Sequence, residues 1–308
     1  MSAPQVNRPT RSGFRPPVGR LAYVNGRYLA HMNALVHVED RGMQFGDSVY
    51  EVVRVLNNSL LDEEEHLDRL QNSLRSLGIQ MPMGRRPLAI VMRELIRRNH
   101  IANGLLYLQV TRGAMPRSHA IPTTRVRPSL ILVARAVDPR VLEVRRSTGV
   151  SVLTRPDERW ARCDIKTTQL VANVLAKTSA QSDGAYEAWL VDKQGFVTEG
   201  TSTTAWIVDK AGNLITRGLD NSILPGVTRG VILNIARDAQ LPVIERAFTP
   251  AEASNAAEAF ISSATGIFPV VSIDNLAVGV GLVGPTTKRI LDLYDDRSSF
   301  SQAPGSII

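Results

Sequence analysis

Apolar and polar residues follow regular patterns along most of the chain after residue 20. From Ser48 to Leu56 the positions are rich in β-branched residues, which predicts a strand. Between Glu63 and Leu77, leucines recur at spacings of three and four residues behind an acidic first turn, and Gly78 follows. That arrangement predicts a capped amphipathic helix. Asn-Gly between two short runs predicts a hairpin over 23–28.

The other patterned segments continue this alternation of strands and helices. We predict helices over 88–99, over 168–179 and after Gly226, and strands over 105–111, 130–136, 150–153, 186–191, 204–208 and 259–262. The second half is richer in strands, and its helices are expected on the outside. The pattern therefore indicates an α+β or α/β fold with two domains.

Composition divides the chain into four predicted parts. Residues 1–20 are rich in Pro, Arg and Gly and lack apolar periodicity, so we expect a flexible or surface-draped extension. A smaller α/β domain is predicted over 21–138 and a larger, strand-rich domain over 150–308. The polar and charged interval 139–149 is the predicted linker between them.

The overall composition excludes several classes of protein. Hydrophobic residues make up 44% of the 308 residues, which is enough for a sizeable core and argues against global disorder. No apolar run is long enough to span a membrane, and no signal-peptide pattern is present. The single cysteine, Cys163, excludes a disulfide framework within the chain. It fits the reducing cytosol, so we expect a cytoplasmic protein without a membrane partner.

The net charge of +7 raises the alternative of a basic nucleic-acid-binding protein. Four arginines and no acid lie within residues 1–20, so the rest of the chain has an ordinary balance. No aromatic-basic motif supports that alternative. Among the 36 basic residues only five are lysines, namely Lys166, Lys177, Lys193, Lys210 and Lys288. Any lysine-dependent chemistry therefore has five candidates.

Three features of the second half suggest chemistry when they are taken together. Lys166 stands just before a predicted helix, and unlike arginine it can lose a proton and form an imine. Glu199 lies among small hydroxyl residues and a glycine, and the loops 224–230 and 262–266 offer groups that can hold phosphate. Each feature alone also fits a surface lysine, a polar turn or an ordinary helix start. Together they suggest a pyridoxal 5′-phosphate site, with no metal.

Five ordered motifs carry a resemblance to a known family. They are residues 40–51 (DRGMQFGDSVYE), 65–70 (EHLDRL), 163–166 (CDIK), 197–200 (VTEG) and 226–229 (GVTR). Through them the chain resembles the class IV, or fold type IV, pyridoxal-phosphate aminotransferases from Tyr23 to about Val270. Within that family it looks most like the D-amino acid transaminases. The resemblance implies a homodimer with shared active sites and ping-pong transamination between D-amino acids and 2-oxo acids.

The resemblance also implies roles for individual residues. Lys166 would bind the cofactor covalently and shuttle the proton, Glu199 would bond the pyridine nitrogen, and Arg69 would grip the phosphate. Leu224 would pack against the ring, and the rest of the phosphate cup would comprise Val227, Thr228, Ala264 and Thr265. Ser48 stands where the family often has glycine, and Ala264 stands where a hydroxyl residue is common.

Substrate anchoring separates the members of the family. The resemblance implies that Arg117 and His119 reach into the partner subunit's site, where Tyr50 completes a trap for the substrate carboxylate. A guanidinium fork and two further donors suit a carboxylate. The alternatives within the family are branched-chain L-amino acid transamination, (R)-amine transamination and aminodeoxychorismate lyase chemistry.

Overall fold

A computed structural model describes residues 19–300 of the chain. The extension predicted for residues 1–20 lies almost wholly outside the described residues. The first part of the described chain contains β1 (Leu21–Val24), β2 (Arg27–Ala30), a 3₁₀ turn (His31–Asn33), α1 (Arg41–Phe45), β3 (Ser48–Leu56), β4 (Ser59–Leu60), α2 (Glu63–Leu77), α3 (Arg85–Arg98), β5 (Gly104–Thr111) and β6 (Ser129–Ala136). These strands form an antiparallel sheet in the order β2-β1-β6-β5-β3-β4.

Alternation along β3 determines how this sheet packs. Val49, Val53 and Val55 are buried in a core that also contains the leucines of α2 and α3. Tyr50 lies on the opposite face of the strand, because successive side chains of a strand point to opposite sides. One face of the sheet is therefore covered by helices, and the other is free to line a cleft.

The second part of the chain forms a larger, mixed sheet. Its elements are α4 (Pro139–Thr148), β7 (Val150–Pro156), α5 (Val171–Ser182), β8 (Glu187–Val191), β9 (Val197–Gly200), β10 (Thr204–Val208), β11 (Leu214–Thr216), α6 (Val227–Asp238), β12 (Val243–Glu245), α7 (Pro250–Ser254), β13 (Glu258–Ser263), β14 (Gly266–Ile273), β15 (Leu276–Ala277) and α8 (Pro285–Phe300). The strand order is β12-β11-β10-β13-β14-β7-β8-β9, and β15 pairs with β14. Trp189 and Trp206 are fully buried, in the clusters on which helices pack.

The predicted linker is helical. Residues 139–148 form α4, where Asp138 accepts a hydrogen bond from the Arg140 N–H and Pro139 occupies the first turn. None of the side chains of α4 is buried, so the sequence lacks the apolar stripe that would predict a helix here. We propose that the boundary between the two domains falls at this helix.

The helix after Lys166 begins later than its sequence predicts. We expected a helix from residue 168 to residue 179, whereas α5 covers Val171–Ser182. The residues before it pair with β3 instead, through a bridge between Thr167 and Val49, and the Tyr50 N–H donates to the Lys166 carbonyl at 2.9 Å. The Thr168 N–H likewise donates to the Ser48 carbonyl at 3.3 Å. This pairing brings the lysine segment onto the first sheet.

Residues 19–300 lack the features of two other classes of protein. None of their helices is long and apolar enough to cross a bilayer. No group of three or more His, Cys, Asp or Glu side chains in this range could hold a metal ion. The cytoplasmic location stays a prediction.

Candidate active site

A cleft of about 290 Å³ lies between the two sheets. It is lined by every residue that the resemblance assigns to the cofactor, together with Tyr50: Arg69, Lys166, Glu199, Leu224, Val227, Thr228, Ala264 and Thr265. These residues come from stretches of the chain that lie far apart in sequence. The fold therefore brings the predicted cofactor residues together, and what each does there is a proposal.

The backbone of Lys166 is fixed by elements of the first sheet. Its N–H donates to the Ser73 hydroxyl on α2 at 3.2 Å, and its carbonyl accepts the Tyr50 N–H of β3. The Lys166 amine lies 4.3 Å from the centroid of the Tyr50 ring. Within residues 19–300 this amine forms no ion pair with a carboxylate, so it is available to react with an aldehyde.

Arg69 is held by a buried carboxylate. Its Nε and Nη2 donate to the two oxygens of Glu51 at 2.9 and 2.8 Å, and His66 bonds the same carboxylate at 2.8 Å. Burial alone would raise the pKa of Glu51, but the charges and hydrogen bonds of Arg69 and His66 lower it to about 2. The Arg69 Nη1 donates to the Pro225 carbonyl at 3.1 Å, which places the guanidinium beside the start of α6.

The start of α6 suits an anion. Gly226 precedes the helix, and no side chain caps the first turn that Val227 and Thr228 begin. Free N–H groups and the helix dipole at such an end attract a phosphate, and Arg69 adds a positive charge beside them. A Cβ atom at residue 226 would lie 3.1 Å from the Thr204 hydroxyl, so glycine lets the backbone before α6 lie close to Thr204.

The second loop of the cup is ordered by its own hydroxyl groups. The Ser263 hydroxyl lies 2.7 Å from the Thr265 hydroxyl and accepts the Thr265 N–H at 3.2 Å. Ala264 lies between them and also lines the cleft, where it can offer only its backbone. Two loops, one arginine and one uncapped helix end thus provide hydrogen-bond donors and a positive charge that suit a phosphate group.

Glu199 lies elsewhere in the cleft and has a partner that the sequence did not reveal. Arg159 donates to its Oε1, and the Leu224 N–H approaches both carboxylate oxygens at 3.2 and 3.3 Å. Burial raises the pKa of Glu199, and the charge of Arg159 opposes that effect. Arg159 lies seven residues before Lys166, and no local sequence pattern pairs it with Glu199.

Ser48 takes part in a chain of hydrogen bonds beside the lysine segment. The Tyr107 hydroxyl donates to Gln109 at 2.9 Å, and the Gln109 amide donates to the Ser48 hydroxyl at 3.2 Å. The Ser48 hydroxyl in turn bonds the Thr168 hydroxyl at 2.5 Å. The ring of Tyr107 stacks on Tyr50 at 5.7 Å between centroids. A serine at this position therefore links β3 to the lysine segment.

Arg117 and His119 lie outside the cleft of their own chain. Both are exposed, and both pack on Phe45, with the Arg117 guanidinium 4.6 Å from the ring centroid and the His119 ring 5.3 Å from it. Arg41, itself paired with Asp47 at 2.7 Å, donates to the backbone of their loop. The predicted carboxylate trap is therefore not assembled within one chain.

A lysine amine, a buried carboxylate and a phosphate-sized cup around one cleft are the parts that a pyridoxal-phosphate enzyme needs. The family model for class IV amino-transferases matches residues 48–273. The chain belongs to this family. Its cofactor is pyridoxal 5′-phosphate, which the arrangement of the cleft fits.

Curated relatives cover nearly the whole chain. A D-alanine aminotransferase of Bacillus licheniformis is 39% identical over 267 residues, which are 86% of this chain and 93% of that protein. A D-alanine aminotransferase of Listeria innocua serovar 6a is 40% identical over 273 residues, which are 88% of this chain and 93% of that one.

Solved structures share the fold at lower identity. The branched-chain amino acid aminotransferase of Escherichia coli has a TM-score of 0.84 and 23% identity, and the match covers 91% of this chain and 95% of that one. A second branched-chain amino acid aminotransferase, from T.th. and solved with pyridoxamine 5′-phosphate, has a TM-score of 0.84 and 24% identity, with 92% and 96% covered. These matches confirm the predicted two-domain α+β fold of type IV.

Proposed function

We propose that the protein transfers the amino group of D-amino acids such as D-alanine to a 2-oxo acid by a ping-pong mechanism. The observation that carries this proposal is the identity of 39–40% to two D-alanine aminotransferases over most of each chain. The branched-chain enzymes match at 23–24% identity, which is a likeness of fold. The rate with D-alanine, compared with L-leucine and an aryl amine in the presence of pyruvate or 2-oxoglutarate, tests the choice. Faster turnover of L-leucine or the aryl amine contradicts it.

The residues of the cleft have separate tasks in this reaction. When bound, pyridoxal phosphate supplies an aldehyde that condenses with amines and a ring that withdraws electrons. The Lys166 amine takes the proton from the α-carbon of the amino acid and returns a proton to the product. Glu199 keeps the ring nitrogen protonated, while Arg69 and the first N–H groups of α6 hold the phosphate.

Tyr50 is the part of the carboxylate trap that the chain supplies to its own cleft. We propose that Arg117 and His119 act in the cleft of a second copy, because both are exposed and neither lines their own. Fixing the substrate carboxylate on one side of the ring determines which enantiomer presents its α-hydrogen to Lys166. The trap would therefore select D-amino acids.

Changing Arg117 to Ala should raise the KM for D-alanine by about 10- to 100-fold, because a hydrogen bond to a charged group contributes about 1.5–3 kcal/mol. The KM for a primary amine without a carboxylate should change little. Arg125→Ala is the matched control, since Arg125 is an exposed arginine a few residues further along the chain. Equal effects of Arg117→Ala on both substrates would refute the trap.

The homodimer is supported by an apolar face that the single chain leaves open. Val171, Val174 and Leu175 on α5 are 73%, 59% and 62% exposed, although all three are large aliphatic residues. Contiguous exposed apolar residues mark interaction surfaces. Because α5 follows the lysine segment directly, a second copy packed here would lie close to the cleft.

Introducing a charge on this face should therefore separate the subunits. We expect Leu175→Glu to shift the protein from dimer to monomer in sedimentation velocity and to lower D-alanine transamination in parallel, because the trap then has no second copy. Leu276→Glu is the control, since Leu276 is similarly exposed, at 61%, but lies on β15 and not on α5. A Leu175→Glu monomer with full activity would contradict the shared site.

A further inference from the structure

A row of three charged side chains lies at one side of the cleft, and two of them, Arg159 and Glu199, line it. Arg159 donates to both oxygens of Asp157, with Nε at 2.9 Å from Oδ1 and Nη2 at 2.7 Å from Oδ2, and its Nη1 donates to the Oε1 of Glu199. The side chains of Arg159, Glu199 and Asp157 are only 6%, 9% and 11% exposed. A guanidinium so enclosed is part of the site and not a solvated surface group.

The two oxygens of Glu199 are not equivalent. Oε1 accepts from Arg159, whereas Oε2 accepts only the shared N–H of Leu224 at 3.2 Å within the described chain. A carboxylate oxygen can accept more than one hydrogen bond. Oε2 is therefore the oxygen with capacity left for the nitrogen of a cofactor ring.

The charges of the row explain what Arg159 adds. With Asp157 and Glu199 both ionised, the three side chains carry a net charge of −1, which one protonated ring nitrogen would neutralise. Without Arg159, two buried carboxylates would share the space, and like charges favour protonation of one of them. The proton would then reside on Glu199 and not on the ring nitrogen.

We propose that Arg159 is a positioning residue which keeps Glu199 ionised, with Oε2 toward the cofactor, so that the ring nitrogen retains the proton. Arg159 touches neither substrate nor reacting atoms in this proposal and acts through Glu199. The proposal rests on the cofactor of the proposed function and does not depend on which amino acid is the substrate.

The surroundings of Glu199 support this assignment. Burial raises its pKa, and Arg159 is the first of the opposing groups, followed by the Leu224 N–H and the charge of Lys166. Arg69 and Cys163 are the other titratable groups near this row. Asp157, held in addition by the Thr198 hydroxyl at 2.7 Å, fixes the guanidinium from the side away from Glu199.

Arg159 also donates to the Ser222 carbonyl at 2.9 Å, two residues before Leu224. A purely structural role through this bond must therefore be distinguished from the role through Glu199. Arg159→Met keeps the length of the side chain and removes its charge, and Arg159→Lys keeps the charge. Arg162→Met is the control, because Arg162 is 44% exposed and pairs with Asp164.

The first measurement needs no substrate. We expect the visible absorption of pyridoxal phosphate bound to the wild type and to Arg162→Met to be constant across neutral pH. Arg159→Met should show a new pH-dependent change there, as the shared proton moves to Glu199, and Arg159→Lys should largely remove it. A pH profile of Arg159→Met identical to that of the wild type would overturn the proposal.

The second measurement separates position from structure. The rate of α-proton removal from D-alanine at saturating cofactor should fall by about 100-fold in Arg159→Met, which is the size of a lost electrostatic contact in an active site. When Glu199 is already Gln, adding Arg159→Met should lower this rate by less than about twofold. Two residues that act through one another give effects that do not add. If the rate of the double variant falls by the product of the two single losses, the proposal is overturned. If the wild type fails on D-alanine, the proposed function fails, while the absorption measurement still decides the role of Arg159.

Discussion

Changing Lys166 to Ala is expected to abolish transamination, with a loss of at least about 10⁴-fold, because the same amine both binds the cofactor and moves the proton. Borohydride reduction of the wild type should fix the cofactor to a peptide that contains residue 166. The variant should bind the cofactor without this covalent link, since the phosphate cup and Glu199 remain. Lys166→Arg should be equally inactive, because arginine does not lose its proton.

The scarcity of lysine makes this test unusually clean. Lys193 is exposed in the turn before β9, and Lys193→Ala is the matched control that should keep full activity and the reducible link. A Lys166→Ala protein that borohydride still joins to the cofactor at another residue would refute the assignment. Mass spectrometry of the reduced protein decides between the two results.

Changing Arg69 to Ala is expected to weaken binding of pyridoxal phosphate and to destabilise the protein by about 3–5 kcal/mol, because it leaves Glu51 buried without its main partner. Glu51 is 2% exposed, so water cannot replace the lost charge. Thermal unfolding of the apo form measures the stability, and titration with the cofactor measures the affinity. Arg75→Ala, an exposed arginine on the same helix, should change neither.

The same pair predicts how stability depends on pH. The folded pKa of Glu51 is lowered from 4.5 to about 2 by Arg69 and His66 against the effect of burial. Its contribution to the free energy of unfolding is therefore fully present above the unfolded value, and it is lost as the pH falls from about 4.5 through about 2. Arg69→Ala should flatten this part of the profile. An unchanged slope in the variant would show that Glu51 does not depend on Arg69.

Much of the first sheet and its helices could be predicted from sequence. The bounds of β3 and α2 agree with the predictions, because a β-branched run, an apolar stripe and Gly78 with a φ of +62° are all local signals. The hairpin between β1 and β2 is also confirmed, with positive φ values at Asn25 and Gly26. The structure places the eight residues that the resemblance assigns to the cofactor around one cleft, and their roles there stay a prediction.

What the sequence missed depends on contacts between distant segments. The start of α5 is set by the pairing of residues 166–168 with β3, more than one hundred residues earlier. Arg159 meets Glu199 only after β9 folds beside the segment that follows β7, and no local pattern reveals such a pair. The helix α4 lacks a buried face, so only its Asp138-Pro139 start could have indicated it.

The two sheets contribute different parts of the cleft. Arg69 and the backbone contacts of Lys166 belong to the first sheet and its helix, whereas Glu199, α6 and the loop after β13 belong to the second. A ligand held by both parts stabilises only the arrangement in which they are docked. Part of the binding free energy of the cofactor therefore stabilises the docking of the two halves against each other. Loss of the cofactor should loosen that docking before either sheet melts, so that one cooperative unfolding transition separates into two.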